Sequence, residues 1–334
     1  MGWRGTLRTI VAAERRAARA SVQRQKLAAK RDAALEKLNQ INEAAAEVQG
    51  AQEYLTRLLS LHTRSAPTID WKTLADGPQP NPPPDSHSEE IAARERRASY
   101  SPNWLDKLLA RTQKRIESLD RMIQTARDKD AAANEGAISG YEKRLAEWAS
   151  TRQLAARMLD FDTSAWKETF NQRSTLTQEK ALGTHFSMRF HAGAVIDVTI
   201  QVGDEKLIPT QTKSLLASGK LSAKKTSANE FWDIYQHYVC SAFFRVAREL
   251  RAIFPLRMLY VTATRELLDE STGHVAIQPI LSAKMPPETL DRLEYISINP
   301  VMALSNFVHR VEFRRGKGFR AIEPVPIDDP RLRT

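Results

Sequence analysis

The stretch Ala228–Thr264, ANEFWDIYQHYVCSAFFRVARELRAIFPLRMLYVTAT, changes period at a single proline. Before Pro255, the residues Phe231, Ile234, Tyr235, Tyr238, Val239, Phe243, Val246 and Leu250 recur at three- and four-residue spacing, one face of an amphipathic helix. Asn229-Glu230 marks its start and Pro255 its stop. After the proline, Arg257–Thr264 is short, apolar and β-branched, which reads as a strand. A long one-sided helix that feeds a strand predicts a sheet backed by that helix.

The flanks agree. Upstream, His185–Phe190 and Ala194–Val202 read as strands, with Gly203-Asp204 as a hairpin turn into a further strand, Leu207–Leu215. Pro209 marks that last strand as an edge or a strand start. Downstream, Val275–Ala283 reads as a strand beyond the turn Glu270-Ser271-Thr272-Gly273. Short helices follow at Pro286/Pro287–Tyr295 and Pro300–Phe307, and His309–Phe313 closes as a strand. The expected C-terminal domain, residues 181–334, is a mostly antiparallel sheet with one long helix.

The N-terminal half has another period. Residues 8–62 lack glycine and proline until Gly50 and are rich in Ala, Leu, Glu, Gln, Arg and Lys, so they predict one long helix. Leu38, Ile41, Ala45, Val48, Leu55 and Leu59 follow a 3.5-residue repeat, the spacing of a coiled-coil seam. Carried backwards, the register meets Leu27, Ala20, Ala17, Ala13 and Ile10, with Arg24 and Arg31 intruding. Residues 64–103 hold Pro67, Pro78, Pro80, Pro82, Pro83, Pro84 and Pro102 and predict a linker. Ile69, Trp71 and Leu74 would dock a short turn of it onto the coiled coil. Helix resumes around Trp104, carries Leu105, Leu108, Leu119 and Met122, and runs to about residue 180, with a kink or loop expected near Gly136 and Gly140. The expected organisation is therefore α+β: a coiled-coil helix at 1–63, a linker at 64–103, a second helical segment at 104–180, then the sheet domain. The two helical blocks could pair as an antiparallel hairpin or through self-association into a homo-oligomer.

Charge is concentrated at one end. Residues 1–31 carry nine cations and one anion, Glu14, which is +8 of the chain's net +10. Arg4, Arg8, Arg15, Arg16 and Arg19 stand out there, and such asymmetry points to a polyanion: nucleic acid or an acidic membrane surface. Within the sheet domain, Lys213, Lys220, Lys224 and Lys225 form a second basic group, joined by Arg245, Arg248 and Arg251 on the long helix. Arg245 and Arg248 also have a purely structural reading, lying over apolar surface or pairing with Glu249 and Glu230. The single Cys240 excludes a disulfide scaffold and suits a cytoplasmic protein. No apolar run approaches the ~18 residues of a membrane span.

Catalytic motifs are sparse. His237 and Cys240 sit three apart on the long helix, too few ligands for zinc, so no metal site is expected there. Phosphate-cradling glycine loops and a G-x-S-x-G elbow do not occur. The enzymatic alternative is Asp197 with Gln211 and Lys213. Metal-dependent nucleases place one carboxylate on a strand, then an acidic or amide residue two before a lysine on the next strand, to hold Mg²⁺ and position water. The neutral Gln211 and the nearby Pro209 weaken that pattern.

An ordered series of short motifs carries a resemblance: Ile208-Pro209, the helix Tyr235–Leu250, Ser271-Thr272-Gly273-His274, Pro279-Ile280-Leu281-Ser282-Ala283, and Ile298-Asn299-Pro300 with Ala303-Leu304. It resembles the coiled-coil and pre-nuclease region of bacterial Mrr-type restriction endonuclease-like proteins, across about 180–325, without their nuclease domain. The resemblance implies an accessory, targeting or assembly module in restriction or phage defence, binding nucleic acid or a nuclease-type partner. It brings no catalytic residues onto Asp197, Gln211 and Lys213, and Mg²⁺ belongs only to the nuclease alternative. A structural scaffold that touches no nucleic acid is the remaining reading.

Overall fold

The computed structural model describes residues 3–102, 111–176, 185–269 and 271–327; in the first helix, side chains are described for Arg19 and from Ser21 onward. The chain forms two units: Met1–Thr68 with Gln172–Thr334, and an inserted Ile69–Asn171. The fold class is mixed α+β, with a long N-terminal helical region and a C-terminal sheet domain.

The first helix, α1 (Trp3–Leu59), is unbroken. Among the described side chains, its apolar stripe is buried only at its C-terminal end, where Ala44, Val48 and Leu58 are covered. Val22, Leu27, Leu35 and Leu38 are exposed. The expected seam is thus covered by the chain's own elements from Ile41 onward and bare at the described Leu27 and Leu38.

In the inserted unit, the expected linker contains two helices, α2 (Trp71–Asp76) and α3 (Ser88–Ala98). Both pack on α4 (Thr112–Leu159), and α5 (Thr163–Arg173) follows. Polar caps make the helices possible among the prolines. Asp70 accepts from Thr73 N–H at 3.0 Å at the start of α2. Asp130 of α4 accepts from the N–H groups of Glu89 and Glu90, supplying acceptors to the first turn of α3. Trp148 Nε1 donates to Gly77 O at 3.0 Å and holds the chain just after α2. The expected break near Gly136 and Gly140 does not occur. Each glycine costs a helix about 1 kcal/mol, which cooperative helix on both sides and the contacts at Asp130 and Trp148 offset. The expected helix start with Trp104, Leu105 and Leu108 lies outside the described residues, as do residues 177–184.

The sheet domain opens with β1 (His185–His191) and β2 (Val195–Gln201), an antiparallel hairpin turned at 192–194. The expected turn at Gly203-Asp204 is instead where the chain leaves the sheet. Asp204 caps a 3-10 turn, Glu205–Leu207, by accepting from Lys206 N–H. Gly203 donates to Tyr238 Oη and accepts from Tyr235 Oη. A Cβ at Gly203 would lie 2.2 Å from Leu207 Cδ1 and 2.8 Å from Tyr238 Oη, so a larger residue would require both side chains to shift. The chain then forms a separate two-stranded hairpin, β3 (Gln211–Leu215) and β4 (Leu221–Lys225).

The long helix α6 (Ala228–Ile253) starts where the sequence places it, with Ser227 Oγ accepting from Glu230 N–H. It returns the chain to the sheet as β5 (Met258–Leu268), parallel to β2, the crossover that a parallel pair requires. Then come β6 (Val275–Met285), the short helices α7 (Pro287–Asp291) and α8 (Pro300–Ala303), and β7 (Val308–Val311). The order is β1-β2-β5-β6-β7, antiparallel except for β2–β5. Tyr235, Tyr238, Phe243, Phe244 and Leu250 of α6 are fully buried, as are Ile196, Val198, Leu259 and Val261 of the sheet. Each such side chain contributes about 1.5–3 kcal/mol. On the other sheet face, Val325 packs against Val195 and Tyr260 and donates its N–H to Ser282 Oγ.

One buried ion pair ties these parts together. Arg245 and Glu249 of α6 meet at 2.7 Å, with side chains 5% and 0% exposed. The Glu249 carboxylate also accepts from Ala66 N–H and Thr175 N–H, both at 2.6 Å. Burial alone would raise its pKa, but the Thr175 and Ala66 hydrogen bonds and the Arg245 charge outweigh that and hold it below the ordinary carboxylate value. Replacing Glu249 with Ala should destabilise the protein by on the order of 3–5 kcal/mol, because Arg245 is left buried and unpaired. Thermal unfolding measures this, and Arg245→Met/Glu249→Leu should recover part of the loss.

Candidate nucleic-acid interface

The exposed part of α1 is helical by composition alone, since no other described element covers the side chains of residues 21–40. Arg19, Arg24, Lys26, Lys30, Arg31 and Lys37 are all exposed on it. Arg4, Arg8, Arg15 and Arg16 lie on the same helix, and their side chains are outside the described residues. At 1.5 Å per residue, the helix from Trp3 to Ile41 extends about 57 Å.

The lysines of the β3–β4 hairpin stand beside the base of this arm. Lys213 Nζ meets Glu47 Oε2 of α1 at 3.0 Å. Gly219, with φ +78° in the turn, lets the backbone close on Ile41; an added Cβ would sit 2.6 Å from Ile41 Cγ1. Between them runs an open groove of about 370 Å³, lined by Lys37, Ile41, Glu43, Glu47, Gly219 and Lys220. Lys220, Lys224 and Lys225 are exposed. In register, Lys225 opposes Gln211 and Lys224 opposes Thr212, so these two lysines fall on opposite faces of the hairpin. The hairpin lysines therefore stand beside Lys37 at the foot of the arm, with Arg19 about 27 Å and Arg4 about 50 Å further along the helix.

The nuclease arrangement is not formed. Asp197 lies on β2, whose neighbours are β1 and β5, while Gln211 and Lys213 lie on the detached hairpin. The Asp197 carboxylate accepts two hydrogen bonds from Arg189, directly opposite on β1, at 2.6 and 3.0 Å. Lys213 is engaged by Glu47. The Asp204-capped turn and the two tyrosine hydroxyls draw the chain off the sheet at Gly203, and β5 takes the place beside β2 that the pattern needed.

The helix arginines serve the fold. Arg248 donates to the carbonyls of His62 and Thr63 and stacks 4.5 Å above the Tyr295 ring. Arg251 makes a two-pronged contact with Asp291. Cys240 is buried, which pushes its thiol up to about 12 and keeps it from acting as a thiolate. Sequence reasoning missed the polar contact beside it: His62 Nδ1 lies 2.8 Å from Ser241 Oγ, which donates to Leu59 O. The signal was available in Ser241, a hydroxyl on the apolar face of α6 that must find a partner. Comparisons with protein-family models, with curated proteins and with solved structures return no match.

Burial, and next the neighbouring His237, lowers the pKa of His62; burial also lowers that of His237. Below about pH 6.5 the unfolded chain therefore binds more protons than the folded one. The stability these histidines contribute is full above that pH and lost as the pH falls through it, before Glu249 titrates. Melting temperature should drop between pH 7.5 and 5, and His62→Gln should flatten the drop.

Proposed function

We propose that this chain is a non-enzymatic accessory or assembly protein that binds nucleic acid through the α1 arm and the adjoining hairpin lysines. The observation that supports this reading is the exposed cationic helix of residues 19–37, with Lys220, Lys224 and Lys225 beside its base. Lysine and arginine in this setting neutralise phosphates and release counterions, a sequence-independent mode of binding. The sheet domain anchors the arm, and a nuclease-type partner supplies any cutting, in keeping with a role in bacterial restriction or phage defence. Among the described residues, no helix is long and apolar enough to cross a membrane.

The exposed Leu27, Leu35 and Leu38 extend the stripe that the folded unit covers from Ile41 onward. In this proposal they pair with α1 of a second copy as a coiled coil. Sedimentation equilibrium should then report a homo-oligomer that Leu27→Asn/Leu38→Asn dissociates without loss of the sheet domain's melting transition.

A titration of full-length protein against duplex and single-stranded DNA, at two salt concentrations with and without Mg²⁺, tests the binding itself. The expected result is a salt-sensitive shift with intact DNA. Metal-dependent fragments would overturn the non-enzymatic reading. No shift at low salt would leave the structural scaffold.

A further inference from the structure

Positions 4, 8, 15, 19, 26, 30 and 37 of α1 are all arginine or lysine, separated alternately by four and seven residues. Eleven residues make three helical turns with a drift of only about 20°. The seven positions therefore fall along one line on the helix, within a stripe about 80° wide and about 50 Å long. The described members, Arg19, Lys26, Lys30 and Lys37, are all exposed.

This line is free of acid. Glu14, Asp32, Glu36, Glu43 and Glu47 sit about 80–160° round the helix from the nearest position of the line along the chain. No Asp or Glu stands three or four residues from any of the seven cations, so helical neighbours offer them no ion pair. Three pairs instead set like charges four apart: Arg4 with Arg8, Arg15 with Arg19, and Lys26 with Lys30. Such pairs weaken an isolated helix, and an external anion would relieve them. The next step of the pattern, four beyond Lys37, is Ile41, against which Gly219 closes. Lys37 and Lys220 line the same groove there together with Glu43 and Glu47, so the acid-free line ends at Lys37.

We infer that this line is a track for the phosphate backbone of duplex nucleic acid, followed without reading its sequence. The inference rests on the nucleic-acid reading above and specifies its geometry. Aromatic residues are absent from positions 4–53, so the arm offers no platform on which unpaired bases would stack. A duplex hides its bases and presents phosphates, the groups these side chains suit.

Two charge-matched variants of the full chain separate the track from net charge. Lys26→Gln/Lys30→Gln removes two cations from the line; Arg24→Gln/Arg31→Gln removes two from the face of Leu27 and Leu38, about 100–160° round the helix, and sedimentation equilibrium checks that the oligomeric state is unchanged. Glutamine keeps helix propensity close to that of lysine, and circular dichroism checks that both variants stay helical. Binding to a blunt DNA duplex is measured across a salt series. The on-line variant should lower the slope of log K against log salt by about 2, at ~0.9 per phosphate contact, and the off-line variant by less than half as much. Equal losses would overturn the track while leaving nucleic-acid binding in place. Tighter binding to a single strand than to the duplex, or displacement of the duplex by phosphatidylserine vesicles, would overturn the choice of partner. No duplex binding by the parent protein would remove both the track and the reading it rests on.

Discussion

The carboxylate of Glu249 is the point on which the chain's path depends. The inserted unit begins after Thr68 and ends before Gln172, and the backbone on either side, at Ala66 and at Thr175, donates to this one group. Holding both ends of a long insertion costs chain entropy, though the cost grows only slowly with length. A carboxylate taken out of water must be fully satisfied, and Arg245 with these N–H groups does so. Because Glu249 sits on α6, the helix that backs the sheet, the same contact fixes the end of α1 to the sheet domain. Arg248, holding the carbonyls of His62 and Thr63, adds a second tie to that segment. A basic arm gains positional meaning only if its base is fixed, and these charges fix it.

The arm and the β3–β4 hairpin depend on each other. A two-stranded hairpin alone is marginally stable in water, and this one leaves Leu215, Leu216 and Leu221 exposed. Ile41 under Gly219 and the Lys213–Glu47 pair supply what the missing strands would have supplied. The exposed ion pair contributes little energy by itself, so its effect is chiefly to choose which face of α1 the hairpin meets. In turn the hairpin covers the helix where its stripe becomes apolar. Above that point the helix rests on the propensity of Ala, Arg, Lys and Gln.

Where a residue's burial and its chemistry agree, the sequence was readable. Phe231 to Leu250 and the stop at Pro255 located α6, and β-branched runs located β2, β5 and β6, because their apolar side chains had to be inside. β4 was missed because Leu221-Ser-Ala-Lys-Lys225 has weak strand propensity and pairs only beside α1, a contact far away in sequence. Gly203-Asp204 was misplaced because two tyrosine hydroxyls on α6, not the local turn chemistry, decide where the chain bends. The helices among the prolines depend on Asp130 and Trp148, again remote partners. For the candidate site, the N-terminal arginines and hairpin lysines were visible as charge. The packing of the hairpin lysines beside Lys37 was not, because it is made by Ile41 and Gly219. The Asp197, Gln211 and Lys213 spacing was visible too, but adjacency of strands is a tertiary property that spacing along the chain does not supply.

A helix does something for these cations that a disordered basic tail would not. Consecutive charges on the line are about 6 Å or 10.5 Å apart along the axis, close to the Debye length of about 8 Å at physiological ionic strength. Each charge therefore overlaps the field of the next, and the line acts as a continuous strip of potential. A flexible tail would spread the same charges over a wider volume and would lose more freedom on binding. The helix has already met most of that ordering cost in folding, with alanine as the spacer that meets it best. The strip is also one-sided, since the acids lie round the helix and the exposed leucines occupy a third direction. Contact with an anion and contact with another helix can then proceed on different faces of α1 without competing for the same side chains.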